Sequence, residues 1–100
     1  MSTTKSPAVA ANIDELSRIG ATVRALRAMH DLTQPAFARL LGIGPMRLRS
    51  IERGDAADAR RFILPTANAA GITLEEFTEL RELVGRAHQR LTDARVIIRG

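Results

Sequence analysis

Residues 32–54, LTQPAFARLLGIGPMRLRSIERG, contain the signals that decide the fold of this chain. Thr33 is a natural N-cap, and Gly42 stands where a helix that starts after Thr33 must end. Pro45 favours the first turn of a second helix, which Gly54 can terminate. The stretch therefore predicts two short helices joined by a tight turn that contains glycine.

The second of these helices, from Pro45 to about Arg53, has one apolar and one polar side. Leu48 and Ile51 face inward together. At 100° per residue, the outward face and its flanks then hold Met46, Arg47, Arg49, Ser50 and Arg53. Two short helices in this order, the second with arginines around a weakly polar face, are typical of a helix-turn-helix unit that binds DNA.

The N-terminal part of the chain changes character near Asn12. Residues 1–11 are rich in Ser, Thr, Ala and Pro without apolar periodicity, and we expect them to form a disordered arm. Asn12 and Glu15 form a capping box, after which apolar residues recur at helical spacing. This pattern predicts helix 1 from Asn12 to Met29.

Two more helices are predicted beyond the central stretch, which makes an all-α domain of five helices. Helix 4 begins near Ile63 and ends at Gly71. Helix 5 follows a second capping box, Thr73 with Glu76, and its apolar residues recur over about five turns. Gly85 in its middle costs roughly 1 kcal/mol and could divide it.

Basic residues are concentrated in the centre of the chain. The net charge is +4, and 14 of the 15 basic residues are arginines. From Arg39 to Arg53, four arginines stand against the single acid Glu52, whereas acids outnumber arginines between Leu74 and Asp93. A basic centre with an acidic flank suits a polyanion on one side and a protein contact elsewhere.

Composition argues against several other classes of protein. The absence of cysteine excludes disulfides and thiolate chemistry and fits a cytoplasmic location. His30 and His88 lack carboxylates at ligand spacing, and no nucleophile with a base or phosphate loop is visible, so we expect no metal, no cofactor and no enzymatic activity. No apolar segment is long enough for a signal peptide or a membrane span. With only three aromatic residues, duplex DNA is a better target than single strands.

Several short motifs stand in a definite order over residues 19–72. They are Ile19-Gly20, Arg27, Leu32-Thr33-Gln34, Phe37-Ala38, Leu41-Gly42-Ile43, Leu48, Ile51-Glu52-Arg53-Gly54 and Ala69-Ala70-Gly71-Ile72. In order and spacing they resemble the Cro/phage-repressor, or xenobiotic-response-element, family of helix-turn-helix proteins. The resemblance implies a lambda-repressor-like domain over residues 12–72 whose helix 3 lies in the major groove.

The resemblance also implies which side chains meet double-stranded DNA. Gln34 would contact the DNA backbone and brace helix 3. The residues entering the groove would be Pro45, Met46, Arg49 and Ser50, with Arg53 near the far end. Arg49 is the best candidate for a bidentate contact to guanine and Met46 for a thymine methyl group, whereas Arg47 is better placed for phosphate.

Three further pairs of residues extend this assignment. After helix 3, Asp55 and Asp58 would repel the DNA backbone, and Arg60 and Arg61 follow them and could restore the contact. The family commonly pairs an arginine of helix 1 with the glutamate of helix 3, which here are Arg27 and Glu52. We expect a partly buried ion pair that fixes helix 3 against helix 1.

Taken together, these features predict a homodimeric transcriptional repressor that binds an inverted-repeat operator, because a single unit contacts few base pairs. Residues 73–100 would form the dimer contact, with helix 5 across the two-fold axis and a short C-terminal strand or tail pairing with its mate. The predicted interface residues are Leu80, Leu83, Val84, Ala87, Leu91, Val96, Ile97 and Ile98. The alternative is an antitoxin, which would use the same DNA-binding domain and hold a toxin through this C-terminal segment.

Overall fold

The computed structural model describes the backbone of residues 7–99 and the side chains of residues 15–87 and of Arg90. Within this part the chain forms helices and no strand, so the predicted all-α class is confirmed. The five α-helices are α1 (Pro7–Met29), α2 (Gln34–Leu41), α3 (Pro45–Glu52), α4 (Ile63–Ala70) and α5 (Leu74–Arg99). A single 3-10 turn, Ala59–Phe62, leads into α4.

The ends of α2 follow the predicted caps. Thr33 Oγ1 accepts a hydrogen bond from the backbone N–H of Ala36 at 3.2 Å, which satisfies a donor of the first turn. Gly42 takes the left-handed conformation with φ 73°, where a side chain would be strained. Because of this conformation, the N–H of Ile43 reaches back to the carbonyl of Ala38 at 2.9 Å, and the chain turns directly into α3.

A reciprocal capping box starts α5, as the sequence predicts. The backbone N–H of Thr73 donates to Glu76 Oε1 at 2.8 Å, and the N–H of Glu76 donates to Thr73 Oγ1 at 3.0 Å. Just before it, Gly71 ends α4 in the left-handed conformation. The boundaries predicted for helix 4 and for the start of helix 5 are therefore confirmed.

The predicted start of helix 1 is wrong. The first helix begins at Pro7, so Asn12 lies inside α1 and does not cap it. Proline is well suited to the first position of a helix, and Ala8, Ala10 and Ala11 all favour helix, which explains the longer α1. The remainder of the predicted arm, residues 1–6, lies outside the described residues.

The short strand or tail expected for Val96, Ile97 and Ile98 is also wrong, because these residues are helical. Helix α5 continues past Gly85 without a break and ends at Arg99. A β-branched run needs a neighbouring strand to complete its hydrogen bonds, and residues 7–99 supply none. Extending an existing helix instead adds one backbone hydrogen bond per residue, so the segment joins α5.

Side chains from all five helices meet in one core. Its largest fully buried members are Phe37, Phe77, Ile19, Leu48, Ile51 and Val23. Leu80 of α5 packs against the edge of this core. The described helices include none that is both long enough and apolar enough to cross a membrane.

Candidate nucleic-acid interface

The two sides of α3 differ sharply in exposure. Leu48 and Ile51 are completely buried, as predicted. Met46 is 74% exposed, and Pro45 and Arg49 are also exposed. Ser50, between them, is half-buried. The outer side of α3 therefore presents a thioether and a guanidinium to solvent from a helix whose inner side is anchored in the core.

A glycine on α1 sets the distance between α1 and α3. A Cβ added to Gly20 would lie 2.3 Å from the carbonyl oxygen of Ile51 and 2.7 Å from that of Glu52. Any side chain here would collide with backbone that cannot turn away. Gly20 thus allows the C-terminal end of α3 to press directly against α1, and residues one turn further along α1 lie beside the end of α3.

Three side chains from α1, α2 and α3 form a hydrogen-bonded network behind α3. Arg27 Nε donates to Glu52 Oε2 at 2.7 Å, and Arg27 Nη2 donates to Glu52 Oε1 at 3.1 Å. Gln34 Nε2 donates to the same Oε1 at 3.0 Å. The side chain of Glu52 is only 3% exposed and that of Arg27 18%. The structure therefore brings together Arg27 and Glu52, the residues expected to pair, and adds Gln34 to them.

The network also ties the end of α1 to the start of α2. Arg27 Nη1 donates to the backbone carbonyl of Leu32 at 2.9 Å, so the three donor nitrogens of this guanidinium are all engaged. The hydrogen bond to Glu52 raises the pKa of Arg27 above its ordinary value. The arrangement holds α2 and α3 in one fixed orientation relative to α1.

An open cleft of about 360 Å³ lies along this network. Arg24 of α1 lies on the wall of this cleft, and no role for it was expected from the sequence. Its spacing could have indicated a role, since Arg24 stands four residues after Gly20 and three before Arg27. This spacing places Gly20, Arg24 and Arg27 on one face of α1. The residues lining the cleft are Arg24, Arg27, Gln34, Arg49, Glu52 and Arg53.

Arg47 has a protein partner on the other flank of α3. Its Nη2 donates to Asp58 Oδ2, and its guanidinium lies over the ring of Phe62, 5.1 Å from the centroid. The hydrogen bond raises the pKa of Arg47 and lowers the pKa of Asp58. The expected repulsion of DNA by Asp58 is thus offset within the fold, and the phosphate contact of Arg47 stays a prediction that requires this pair to open.

Two more of the arginines that the sequence assigned to DNA, Arg53 and Arg61, also lie near acids. Arg53 Nε lies 3.1 Å from Asp55 Oδ2, with both side chains well exposed. Arg61 Nη1 lies 3.8 Å from Asp58 Oδ2 and is 80% exposed. These two arginines can exchange a surface acid for a phosphate at little cost, because exposed ion pairs contribute little.

Arg60 pairs with Glu15 in the N-terminal half of α1. Its Nε donates to Glu15 Oε1 at 3.0 Å, and Arg81 Nη1 lies 3.9 Å from Glu15 Oε2. The hydrogen bond from Arg60 lowers the pKa of Glu15. Arg60 therefore joins the 3-10 turn to α1, a contact that the sequence analysis did not predict.

The residues predicted for dimer contact lie along α5. Leu83 is 51% exposed, Val84 is half-buried and Ala87 is exposed, whereas Leu80 belongs to the edge of the core. The side chains of Leu91, Val96, Ile97 and Ile98 lie outside the described residues. Among the described side chains, no three acids or histidines come close enough to hold a metal ion.

The fold and the geometry of α2 and α3 define a small helical domain built around a helix-turn-helix unit. A family model described as a helix-turn-helix domain matches residues 18–80, and the chain belongs to this family. The assignment agrees with the resemblance to Cro/phage-repressor proteins. A comparison with curated protein sequences gives no match.

Proposed function

We propose that this protein is a sequence-specific regulator of transcription that binds double-stranded DNA as a homodimer and represses from an inverted-repeat operator. The observation that supports this most is the contrast on α3. Met46, Arg49 and Arg53 are exposed, while Leu48 and Ile51 are completely buried. A short helix with this arrangement can enter the major groove and leave its packing undisturbed.

Each exposed side chain of α3 has a contact that its chemistry favours. Arg49 donates two parallel hydrogen bonds to guanine O6 and N7, and Met46 covers a thymine methyl group. Pro45 and Ser50 flank these contacts in the groove, and Arg53 reaches a phosphate beyond them. Gln34 Nε2 uses one N–H for Glu52 and has a second for the DNA backbone at the start of α2.

A homodimer gives the specificity that one unit lacks. A two-fold axis places two copies of α3 in successive major grooves about one turn of DNA apart. The exposed Leu83 and the half-buried Val84 on α5 support an interface on that helix, beyond the part of α5 that closes the core.

Selection from a random duplex library by the full chain tests this function. We expect enrichment of sequences with two inverted half-sites about one helical turn apart. The enriched duplex should bind at least a thousandfold more tightly than a scrambled duplex of the same composition at physiological salt, as is typical of specific DNA-binding proteins. Equal affinity for the two duplexes, or no binding to either, would exclude a sequence-specific regulator.

A second candidate, an antitoxin, is favoured by the charge on α5. The side chains of Glu75, Glu76, Glu79 and Glu82 are all exposed, and this acidic face suits a basic, RNA-cleaving partner. An antitoxin gene should have a small basic reading frame beside it. Co-purification of that product with the chain, together with relief of its toxicity, would favour the antitoxin, and an isolated gene would favour the simple repressor.

A further inference from the structure

The cleft between α1 and α3 carries positive charge that the fold does not compensate internally. Four arginines and one glutamate line it. Glu52 already accepts three hydrogen bonds from Arg27 and Gln34 and is almost inaccessible, so it cannot repel an incoming anion effectively. Within the described part of the chain, the side chains of Arg24 and Arg49 are in no ion pair or hydrogen bond. These two guanidiniums are available for an external ligand.

The position of Arg24 indicates which part of DNA it can reach. Gly20 holds α1 against the end of α3, and Arg24 lies one helical turn further along the same face. Because α3 is the helix that enters the groove, a side chain on the adjacent α1 meets the rim of that groove. The rim is formed by sugar and phosphate, and a guanidinium binds phosphate through charge-assisted hydrogen bonds.

We propose that Arg24 binds a backbone phosphate of duplex DNA at the edge of the groove that α3 occupies. The proposal rests on the proposed function. Arg49, which lines the same cleft, contacts the bases. Arg24 binds the DNA backbone beside the groove and so fixes the register of α3 on the DNA. The Arg27–Glu52 pair lines the same cleft and contacts no DNA.

The test compares Arg24→Gln with Arg90→Gln, which removes the same charge from an exposed site on α5. Binding of a fluorescein-labelled selected duplex and its scrambled counterpart is measured by anisotropy over a range of salt concentrations. Loss of one phosphate contact should reduce the slope of log affinity against log salt by about 0.9 for Arg24→Gln on both duplexes. Arg24→Lys should restore most of the slope. At protein concentrations where sedimentation equilibrium shows Arg90→Gln to be as dimeric as the wild type, Arg90→Gln should leave the slope at the wild-type value.

Three outcomes would overturn the proposal. If Arg24→Gln and Arg90→Gln have the same slope while the wild type binds DNA, Arg24 makes no phosphate contact and the proposed function stands. If the wild type binds neither duplex, the proposed function and this inference both fail. If millimolar inorganic phosphate raises the melting temperature of the wild type but not of Arg24→Gln, and the DNA slope is unchanged, the cleft binds a free anion instead. Circular dichroism of each variant checks that the exposed substitution leaves the helices intact.

Discussion

Glu52 receives hydrogen bonds from two different helices, and its side chain is almost closed to water. The carboxylate has lost most of its hydration, and Arg27 and Gln34 replace that hydration. Removing Glu52 would leave the partly buried guanidinium of Arg27 without its counter-charge. Removing Gln34 would leave the ion pair itself in place.

We therefore expect Glu52→Ala to damage the fold more than Gln34→Ala does. The loss in free energy of unfolding should be about 3 kcal/mol for Glu52→Ala, because it breaks a buried pair on one side only. Gln34→Ala should lose about 1 kcal/mol, the usual net contribution of a hydrogen bond. Urea unfolding followed by circular dichroism measures both. An unchanged stability of Glu52→Ala, with DNA binding lost, would make Glu52 a DNA contact and contradict the structural role.

Acid should weaken the fold through Asp58 and Glu15. In the folded protein, arginine hydrogen bonds hold the pKa values of both carboxyl groups below their ordinary values of 3.8 and 4.5. Their contribution to stability is complete above those ordinary values and is lost as the pH falls through the lowered ones. The free energy of unfolding, measured by urea titration at a series of pH values, should therefore be steady near neutrality and fall below about pH 4.5.

Asp58→Asn and Arg47→Gln each disrupt the Arg47–Asp58 pair and leave the Arg60–Glu15 pair unchanged. Each substitution removes the interaction that lowers the pKa of Asp58, so each should make the acid-induced loss of stability shallower than in the wild type. If both variants lose stability with the same pH profile as the wild type, the Arg47–Asp58 pair does not contribute in solution.

At the residue scale, the sequence was sufficient for the contacts that depend on local spacing. The outward position of Met46 and Arg49 follows from the turn of α3, and the pairing of Arg27 with Glu52 followed from the family resemblance. The partners of Arg47 and Arg60 could not be predicted in this way. Asp58 and Glu15 are 11 and 45 residues distant along the chain from these arginines, and only the packing of the 3-10 turn brings them together.

At the scale of elements, two glycines in helices have opposite consequences. Gly20 faces backbone carbonyls of α3 that cannot move, whereas the nearest atom to a Cβ at Gly85 is Nε of the flexible Arg18 side chain, at 3.2 Å. Gly20→Ala should lower the free energy of unfolding by about 1–3 kcal/mol through overpacking. Gly85→Ala should raise it by up to about 1 kcal/mol, because alanine favours helix.

Thermal melting of the two alanine variants checks this contrast. Both variants replace a helical glycine with alanine, so a difference in their stability reflects the surroundings of each position. A Gly20→Ala variant as stable as the wild type would show that α1 and α3 are not in close contact. Destabilisation by Gly85→Ala would show that Arg18 cannot adjust its position.

The helices themselves were predictable where caps stand at both ends. Thr33, Gly42, Gly71 and the Thr73–Glu76 box each satisfy backbone groups within a few residues, so their signals are local. Both errors lie at the ends of the chain. At Pro7 the helix-favouring alanines outweighed the capping box at Asn12, and at the C-terminus the helix extended through residues whose β propensity has no strand to pair with.

At the scale of the whole molecule, truncation after Val84 tests where the dimer contact lies. The shortened chain keeps Phe77 and Leu80, which among the described side chains of α5 are the ones that pack in or against the core. We expect a folded monomer by sedimentation equilibrium. Its affinity for the selected duplex should be lower, because the two half-sites are no longer bound together by one dimer. A full-length Leu83→Glu variant should also weaken the dimer, since it places a charge on an exposed apolar site of α5.

A truncated chain that remains a dimer would contradict this account of α5. The dimer contact would then lie within residues 1–84, before the C-terminal half of α5. The C-terminal half of α5 would be free for a second protein, and the antitoxin would become the better explanation.

The most direct measurement of the central claim, that α3 determines which DNA sequence is bound, is the affinity of Arg49→Ala for the selected and the scrambled duplex. The account predicts a loss of roughly 1–3 kcal/mol on the selected duplex and a much smaller loss on the scrambled one, because the guanidinium contacts a base. Arg61→Ala, an exposed arginine outside α3, should leave the ratio of the two affinities unchanged. Equal losses on both duplexes for Arg49→Ala, with the ratio preserved, would contradict the claim.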